Sequence, residues 1–213
     1  DTRSFGKLFK TTKHTKTYYS FDMNNVHIIA IDPYINYGSN SDQYQFIESD
    51  LKKVSQNTKI DWIFVLEHIP MYTSPSKHSA DLKIRDTYHN LFDKYNVDMV
   101  FSGDNHNYQR TFPLEYNKKY SANPIISDTN LNRYRDYDGQ IYIITGTAGK
   151  SHYYIQQQAH FVAIEEDQKV GFLNVDINSY KTLTATFYAN EDSINNDKNN
   201  NNVIDRFTIL KTT

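Results

Sequence analysis

Length, composition and charge exclude several classes of protein. The chain has 213 residues, of which 38% are hydrophobic, so it is long enough for one core and short for two. Its formal charge of -2 gives no electrostatic preference for nucleic acid or for an anionic membrane. Because it contains no cysteine, disulfides, thiolate metal sites and cysteine nucleophiles are excluded, which leaves metal chemistry to His, Asp, Asn and water.

The N-terminal stretch, DTRSFGKLFKTTKHTKTYY, has no apolar run of the length that a signal peptide or membrane anchor needs. It opens at Asp1 and not at an initiator Met. We therefore expect these residues to be part of a longer gene product.

Apolar runs and helical patterns alternate in the first part of the chain. The first β-branched run predicts a buried strand, and the segment after it predicts a helix with Ser41 as its N-cap. A second strand stops at Pro70, and a second helix leads into a third strand. The segments are VHIIAID, SDQYQFIESDLKKVSQN, DWIFVLEHIP, LKIRDTYHNLFDKYN and VDMVFSGDNH. This order predicts a parallel sheet covered by helices.

After about residue 140, short alternating strands follow one another without a helix between them: QIYIITGTAG, FVAIEE, KVGFLNVDIN, TLTATFYAN and VIDRFTILK. The Asn-rich run at 195–202 predicts a solvated turn. We therefore predict an α+β fold, with a parallel or mixed sheet over 18–140 and mostly antiparallel strands over 141–213. Both parts belong to a single predicted domain, residues 1–213.

Polar side chains suited to metal or proton chemistry follow each of the first three strands. The first strand ends in Asp32, the second in Glu67 and His68, and the third in Asp104 to His106. Ligands of parallel sheets bind beyond the carboxyl ends of the strands. We therefore expect these side chains to lie at one edge of the sheet.

Several separated blocks resemble, in order, the second half of the calcineurin-like metallophosphoesterases, most closely the purple acid phosphatase branch. They are YYSFDMNNVHIIAID, WIFVLEHIPMYTS, KYNVDMVFSGDNHNYQRTFPL and IYIITGTAG, and the resemblance covers roughly Tyr18 to Lys211. It implies the C-terminal half of a four-layered β-α-α-β sandwich. It also implies a centre of two metal ions, Fe with Zn, Mn or Fe, that serves the hydrolysis of phosphate monoesters.

The resemblance assigns roles to four residues. His68 in E-H-I-P matches the metal-binding histidine of the family motif G-H-x-P, and His106 matches the second histidine of G-H-x-H. Asp104 stands where the first histidine of G-H-x-H would be, so a carboxylate replaces one nitrogen ligand. His78 matches a histidine that contacts the substrate phosphate or protonates its leaving group, a role that imidazole suits near neutral pH.

One departure from the family is larger. The motifs G-D-x-G, G-D-x-x-Y and G-N-H-E, which supply the other ligands, do not occur in the sequence. Without a bridging carboxylate, two neighbouring cations would repel each other. Residues 1–213 alone are therefore not expected to assemble the two-metal centre or to be active.

Structural alternatives remain open at this point. A histidine at a strand end can cap a loop instead of binding metal. The histidine in TSPSKHSAD can lie in an exposed loop without a catalytic role, and Asp104 also fits a site that has lost its metal. Asn105 and Asn107 fit loop hydrogen bonding, and Tyr108 and Arg110 fit packing and loop anchoring. G-T-A-G fits a turn as well as a phosphate contact.

The sequence thus favours a metal-dependent, acid phosphatase-like enzyme with a phosphate ester as substrate, located outside the cell or on its surface. The alternative is a non-catalytic secreted or surface module that keeps the phosphatase scaffold for binding or structure. Neither function involves nucleic acid or a membrane segment in this chain.

Overall fold

The computed structural model describes residues 17–179, 181–190 and 203–212. The N-terminal stretch up to residue 16 and the predicted Asn-rich turn at 195–202 lie outside the described residues. The elements are β1 (Tyr19–Met23), β2 (Val26–Ala30), α1 (Asp42–Val54), β3 (Trp62–Leu66), α2 (Leu82–Lys94), β4 (Met99–Ser102), β5 (Tyr108–Thr111), β6 (Leu114–Glu115), β7 (Ile125–Ile126), β8 (Arg133–Arg135), β9 (Ile141–Thr145), β10 (Val162–Glu166), β11 (Gly171–Ser179), β12 (Thr182–Ala189) and β13 (Val203–Leu210).

Both predicted helices form where their sequence patterns place them. The Ser41 hydroxyl accepts a hydrogen bond from the backbone N–H of Tyr44 and so caps α1. The Asp81 carboxylate caps α2 in the same way, accepting from Lys83 and Ile84. The buried faces recur at helical spacing: Ile47, Leu51 and Val54 in α1, and Ile84, Tyr88, Leu91 and Phe92 in α2. Neither helix is long and apolar enough to cross a membrane, nor is any other among the described residues.

The main sheet has seven strands in the order β1-β2-β3-β4-β9-β5-β10. Strands β2, β3, β4 and β9 are parallel neighbours, whereas β1, β5 and β10 pair antiparallel at the two sides. The predicted parallel sheet is therefore confirmed, with antiparallel additions. Strand β9 pairs parallel with β4 on one side and antiparallel with β5 on the other, so it joins the parallel and antiparallel parts of the sheet.

The sequence pattern did not indicate β1, which forms a hairpin with β2. Met23 pairs with Val26, so the connection is the two-residue turn Asn24-Asn25. Asn24 has a φ of 55°, a left-handed conformation that asparagine tolerates better than most residues. The turn chemistry of this Asn pair was the available signal for the hairpin.

The two faces of the main sheet cover different layers. On one face, Ile29, Val65 and Val100 pack with the apolar sides of α1 and α2. On the other, Trp62 and Ile143 pack with residues of a second sheet, ordered β11-β12-β13-β8. This double coverage explains why β3 is apolar along nearly its whole length.

The predicted mixed α+β architecture is confirmed, and the described residues show how its layers are stacked. The described residues form helices, seven-stranded sheet and four-stranded sheet, with the two sheets face to face. Alternate apolar residues of β12 and β13, including Leu183, Phe187 and Phe207, provide the surface that packs on the main sheet. Periodicity identified these strands but could not say which layer they face.

Candidate active site

Strands β3 and β4 bring His68 and Asp104 together. The strands are parallel neighbours, so the residues that follow them lie at the same edge of the sheet. The backbone N–H of Gly103 donates to the carbonyl of His68 at 3.0 Å. His68 Nε2 lies 3.6 Å from Asp104 Oδ1, which confirms the expected proximity of these two strand ends.

Asp104 occupies a strained backbone position between two histidines. Its φ is 59°, in the left-handed region that Asp, Asn and His tolerate better than other side chains. Its second oxygen, Oδ2, lies 3.8 Å from His78 Nδ1. Both distances exceed hydrogen-bond length, and all three side chains are partly solvent-exposed. The carboxylate therefore sits as an accessible negative charge between His68 and His78.

His106 has a different environment from the other three residues. Its Nδ1 donates to the carbonyl of Ser151 at 2.8 Å, and its ring stacks on Tyr153 with centroids 3.9 Å apart. Because a carbonyl only accepts, Nδ1 carries a proton, and in the neutral ring Nε2 is free of one. This arrangement, with one nitrogen held by a carbonyl, is typical of metal-binding histidines.

The described residues do not assemble a complete metal site. Across the described ranges, no three His, Asp or Glu side chains converge closely enough to hold one ion. His68 and Asp104 do fit two positions of one coordination shell, because tetrahedral ligands at about 2.0–2.2 Å from a cation lie about 3.4 Å apart. His106 is not part of this pair in the structure.

The turn G-T-A-G packs against the loop that carries Asp104 and His106. A Cβ on Gly146 would lie 2.1 Å from the carbonyl oxygen of Asn105, so only glycine allows this close approach. The backbone N–H of Gly146 also donates to Asn107 at 3.2 Å. Packing therefore accounts for this glycine without a phosphate.

Sequence reasoning missed Lys77, Ser151 and Tyr153 at this edge of the sheet. The ammonium of Lys77 lies 4.2 Å from the ring centroid of Tyr153, and the His78 ring lies 5.4 Å from the same centroid. Tyr153 thus contacts two of the predicted site residues. No local motif marks it, because it reaches the site through a long loop after β9.

Glu67 directly precedes His68, but its carboxyl oxygens are buried. Burial raises the pKa of its carboxyl well above the usual value, the charge of Asp81 adds to this, and the nearby N–H of Met71 opposes it only partly. Neither carboxyl oxygen has a hydrogen-bond partner of normal geometry. The Glu67 carboxyl is therefore separated from the solvent-accessible His68–Asp104–His78 group.

Tyr108 and Arg110 anchor the loop that carries Asp104 and His106, here called the site loop. This agrees with the packing and anchoring role that the sequence predicted for them. Arg110 is completely buried and pairs with Asp205, while the Tyr108 hydroxyl donates to the same carboxylate at 2.7 Å. Both residues therefore tie β5, directly after the site loop, to the second sheet.

Comparison with known proteins shows which protein family this chain resembles. Residues 4–108 match the sequence model of the calcineurin-like phosphoesterases. Purple acid phosphatase 21 of Arabidopsis thaliana is 38% identical over 111 residues, which cover 52% of this chain and 25% of the relative. Purple acid phosphatase 22 of the same plant is 39% identical over 103 residues, covering 48% of this chain and 23% of the relative.

The fold comparison extends over nearly the whole chain. The purple acid phosphatase PPD1 from yellow lupin (Lupinus luteus) seeds superposes with a TM-score of 0.78 at 21% sequence identity, covering 94% of this chain and 34% of the lupin chain. The matched regions thus span about a quarter to a third of the length of these relatives. The chain thus matches part of the calcineurin-like phosphoesterase family model, and its fold is that of the purple acid phosphatases.

Proposed function

We propose that this chain contributes to a metal-dependent phosphoesterase that hydrolyses phosphate monoesters. The observation that carries the proposal is the placement of Asp104 between His68 and His78, at the carboxyl ends of parallel strands in a phosphoesterase-like domain. The group is accessible to solvent, as a substrate requires. Phosphoesterase relatives support the reaction class.

His68, Asp104 and His106 would hold metal ions, which we propose to be two, Fe with Zn, Mn or Fe. Ions of this kind lower the pKa of bound water and neutralise phosphoryl charge. The two histidines offer neutral nitrogens, and the Asp104 carboxylate attracts a cation more strongly than a histidine would. His106 is not part of the His68–Asp104 pair. It would therefore bind the second of the two ions, or its loop would move to bring it to the first.

His78 is the proposed catalytic residue. Its side chain is 39% exposed, so it can reach a phosphate bound over the strand ends. As imidazolium it can donate a hydrogen bond to a phosphoryl oxygen or a proton to the leaving oxygen. Asp104 Oδ2 lies 3.8 Å from His78 Nδ1, so the carboxylate faces the imidazole that would act on the phosphate.

The proposal concerns the complete gene product. Because the motifs that supply the bridging carboxylate in this family are absent from the sequence, the remaining ligands must come from outside these 213 residues. We expect residues 1–213, as a single domain part, to be inactive alone. We also propose an extracellular or cell-surface location, which fractionation of the source cells would test.

The test is phosphatase activity of the complete gene product with added Fe, Zn or Mn. We expect turnover of p-nitrophenyl phosphate that falls at least about 100-fold in His106→Ala and His68→Ala, together with reduced metal content. His160→Ala, at an exposed position, is the matched control and should retain activity. Absence of turnover with every metal would refute the enzyme and favour the non-catalytic scaffold.

A further inference from the structure

A buried layer of amide side chains packs against the segment 73–78, which carries the proposed catalytic residue His78. Asn105, Asn107 and Gln109 alternate along the chain after Asp104, and each is at most 2% exposed. Burying an amide without hydrogen-bond partners costs about 1–3 kcal/mol. Each of these side chains is therefore expected to be fixed by the partners that it finds, and those partners lie in the segment 73–78 and at Tyr153.

Asn105 holds the backbone of His78 at two points. Its Oδ1 accepts from the His78 N–H at 2.9 Å, and its Nδ2 donates to the His78 carbonyl at 2.9 Å. A third hydrogen bond runs from Nδ2 to Thr73 Oγ1 at 3.1 Å. Contact with both the N–H and the carbonyl of His78 fixes the orientation of its backbone as well as its position.

Two neighbouring amides secure the rest of the segment. Gln109 Oε1 accepts from the Ser74 N–H at 2.7 Å, and Asn107 Nδ2 donates to Ser76 Oγ at 3.1 Å. Gln109 Nε2 in turn donates to Asn107 Oδ1 at 3.0 Å. The segment 73–78 is thus attached along its whole length to the chain that follows Asp104.

We propose that Asn105 is a positioning residue, which holds His78 beside Asp104 before any cation or substrate binds. Asn105 follows Asp104 directly in sequence, so the same loop that presents the carboxylate also fixes the histidine opposite it. Prior fixation lowers the entropy lost when a reacting geometry forms. The inference rests on the proposed catalytic role of His78.

The first test is amide hydrogen exchange in the ¹⁵N-labelled chain. In Asn105→Asp an acceptor survives for the His78 N–H, but a carboxylate oxygen faces the His78 carbonyl in place of the donor. We expect the His78 amide to exchange at least about 10-fold faster, with no comparable change at Val100 in β4. Asn117→Asp is the control, because Asn117 also makes loop hydrogen bonds but in another loop.

A milder variant covers the case in which Asn105→Asp does not fold. Thr73→Val removes one hydrogen bond of Asn105 and leaves both bonds to His78. It should increase exchange at His78 by a factor of about 2–5. Unchanged exchange at His78 in the variant that folds would overturn the proposal.

The second test separates positioning from a purely structural role. In the complete gene product, Asn105→Asp should lower kcat for p-nitrophenyl phosphate by at least about 10-fold and leave KM within about 2-fold. Faster amide exchange at His78 together with an unchanged kcat would overturn the positioning role. An inactive wild-type enzyme would refute the proposed function, whereas the hydrogen-exchange result would still decide whether Asn105 fixes His78.

Discussion

Arg110 and Asp205 form a buried, two-point ion pair that joins the two sheets. Nε and Nη2 of Arg110 donate to the two carboxylate oxygens of Asp205 at 2.5 and 2.9 Å, and Nη1 donates to the Tyr134 hydroxyl at 2.7 Å. Burial alone would lower the pKa of Arg110, but the hydrogen bonds that Arg110 donates to Asp205 outweigh it and the net shift is upward. The guanidinium therefore remains charged at every pH at which the protein is folded.

Asp205→Ala should destabilise the protein by about 3–5 kcal/mol, because it leaves a buried guanidinium without its counter-charge. Urea denaturation measures the change. Glu48→Gln is the control: its ion pair with Lys94 is exposed, so the free energy of unfolding should change little. If the single variant does not fold, Arg110→Met with Asp205→Leu should recover most of the stability. A loss below about 1 kcal/mol for Asp205→Ala would contradict the assignment.

His27 links the β1–β2 hairpin to α1. Its Nδ1 lies 2.6 Å from Asp22 and its Nε2 lies 2.8 Å from Asp50, so both nitrogens donate only when the ring is protonated. Burial alone would lower the pKa of His27, but hydrogen bonds to Asp50 and Asp22 outweigh it and the net shift is upward. A histidine with a raised folded-state pKa stabilises fully below the unfolded value of about 6.5.

We therefore expect the stabilisation by His27 to be lost as pH rises from about 6.5 through the raised folded-state pKa. Denaturant titrations at several pH values should show this decline in the wild type and a smaller one in His27→Gln. NMR titration of the ring should show a larger fall in pKa for Asp50→Asn than for Asp22→Asn, since Asp50 contributes more. Equal pH dependence in wild type and His27→Gln would refute the linkage.

Gly146→Ala should destabilise the protein by about 2 kcal/mol or more. The added Cβ would lie 2.1 Å from the backbone oxygen of Asn105, which cannot move without shifting the site loop. Gly38→Ala is the matched control, because its nearest neighbour would be Asn36 Oδ1 at 3.5 Å. Thermal or urea unfolding measures the stability of the two variants. Similar stabilities would contradict the prediction, because they would show that the backbone shifts to admit the Cβ at little cost.

Asp104→His tests the proposed role of Asp104 as a metal ligand. Histidine also tolerates the left-handed backbone at this position, so stability should change by less than about 1 kcal/mol. The complete gene product should shift its preference from Mn towards Zn, since imidazole suits Zn better than a carboxylate-rich site does. Asp104→Asn, which removes the charge, should weaken binding of both ions. Competition titration with the two metals measures the preference, and an unchanged ratio would exclude Asp104 as a ligand.

The sequence by itself determined the elements whose signals are local. Helix α1 followed from the Ser41 cap and the spacing of Ile47 and Leu51, and the parallel strands followed from continuous apolar runs between helices. The strand-end rule also placed His68 near Asp104 correctly. Each of these inferences depends on residues within a few positions of one another or on a general property of sheets.

Only the tertiary structure decided the layer order and the surroundings of each site residue. Ser151 meets His106 across 45 positions of sequence, and Asp205 meets Arg110 across 95. Such contacts depend on which faces pack together, and periodicity does not specify the partner of a face. For the same reason the sequence could nominate Asn105 for loop hydrogen bonding, but only the fold showed that the bonded residue is His78.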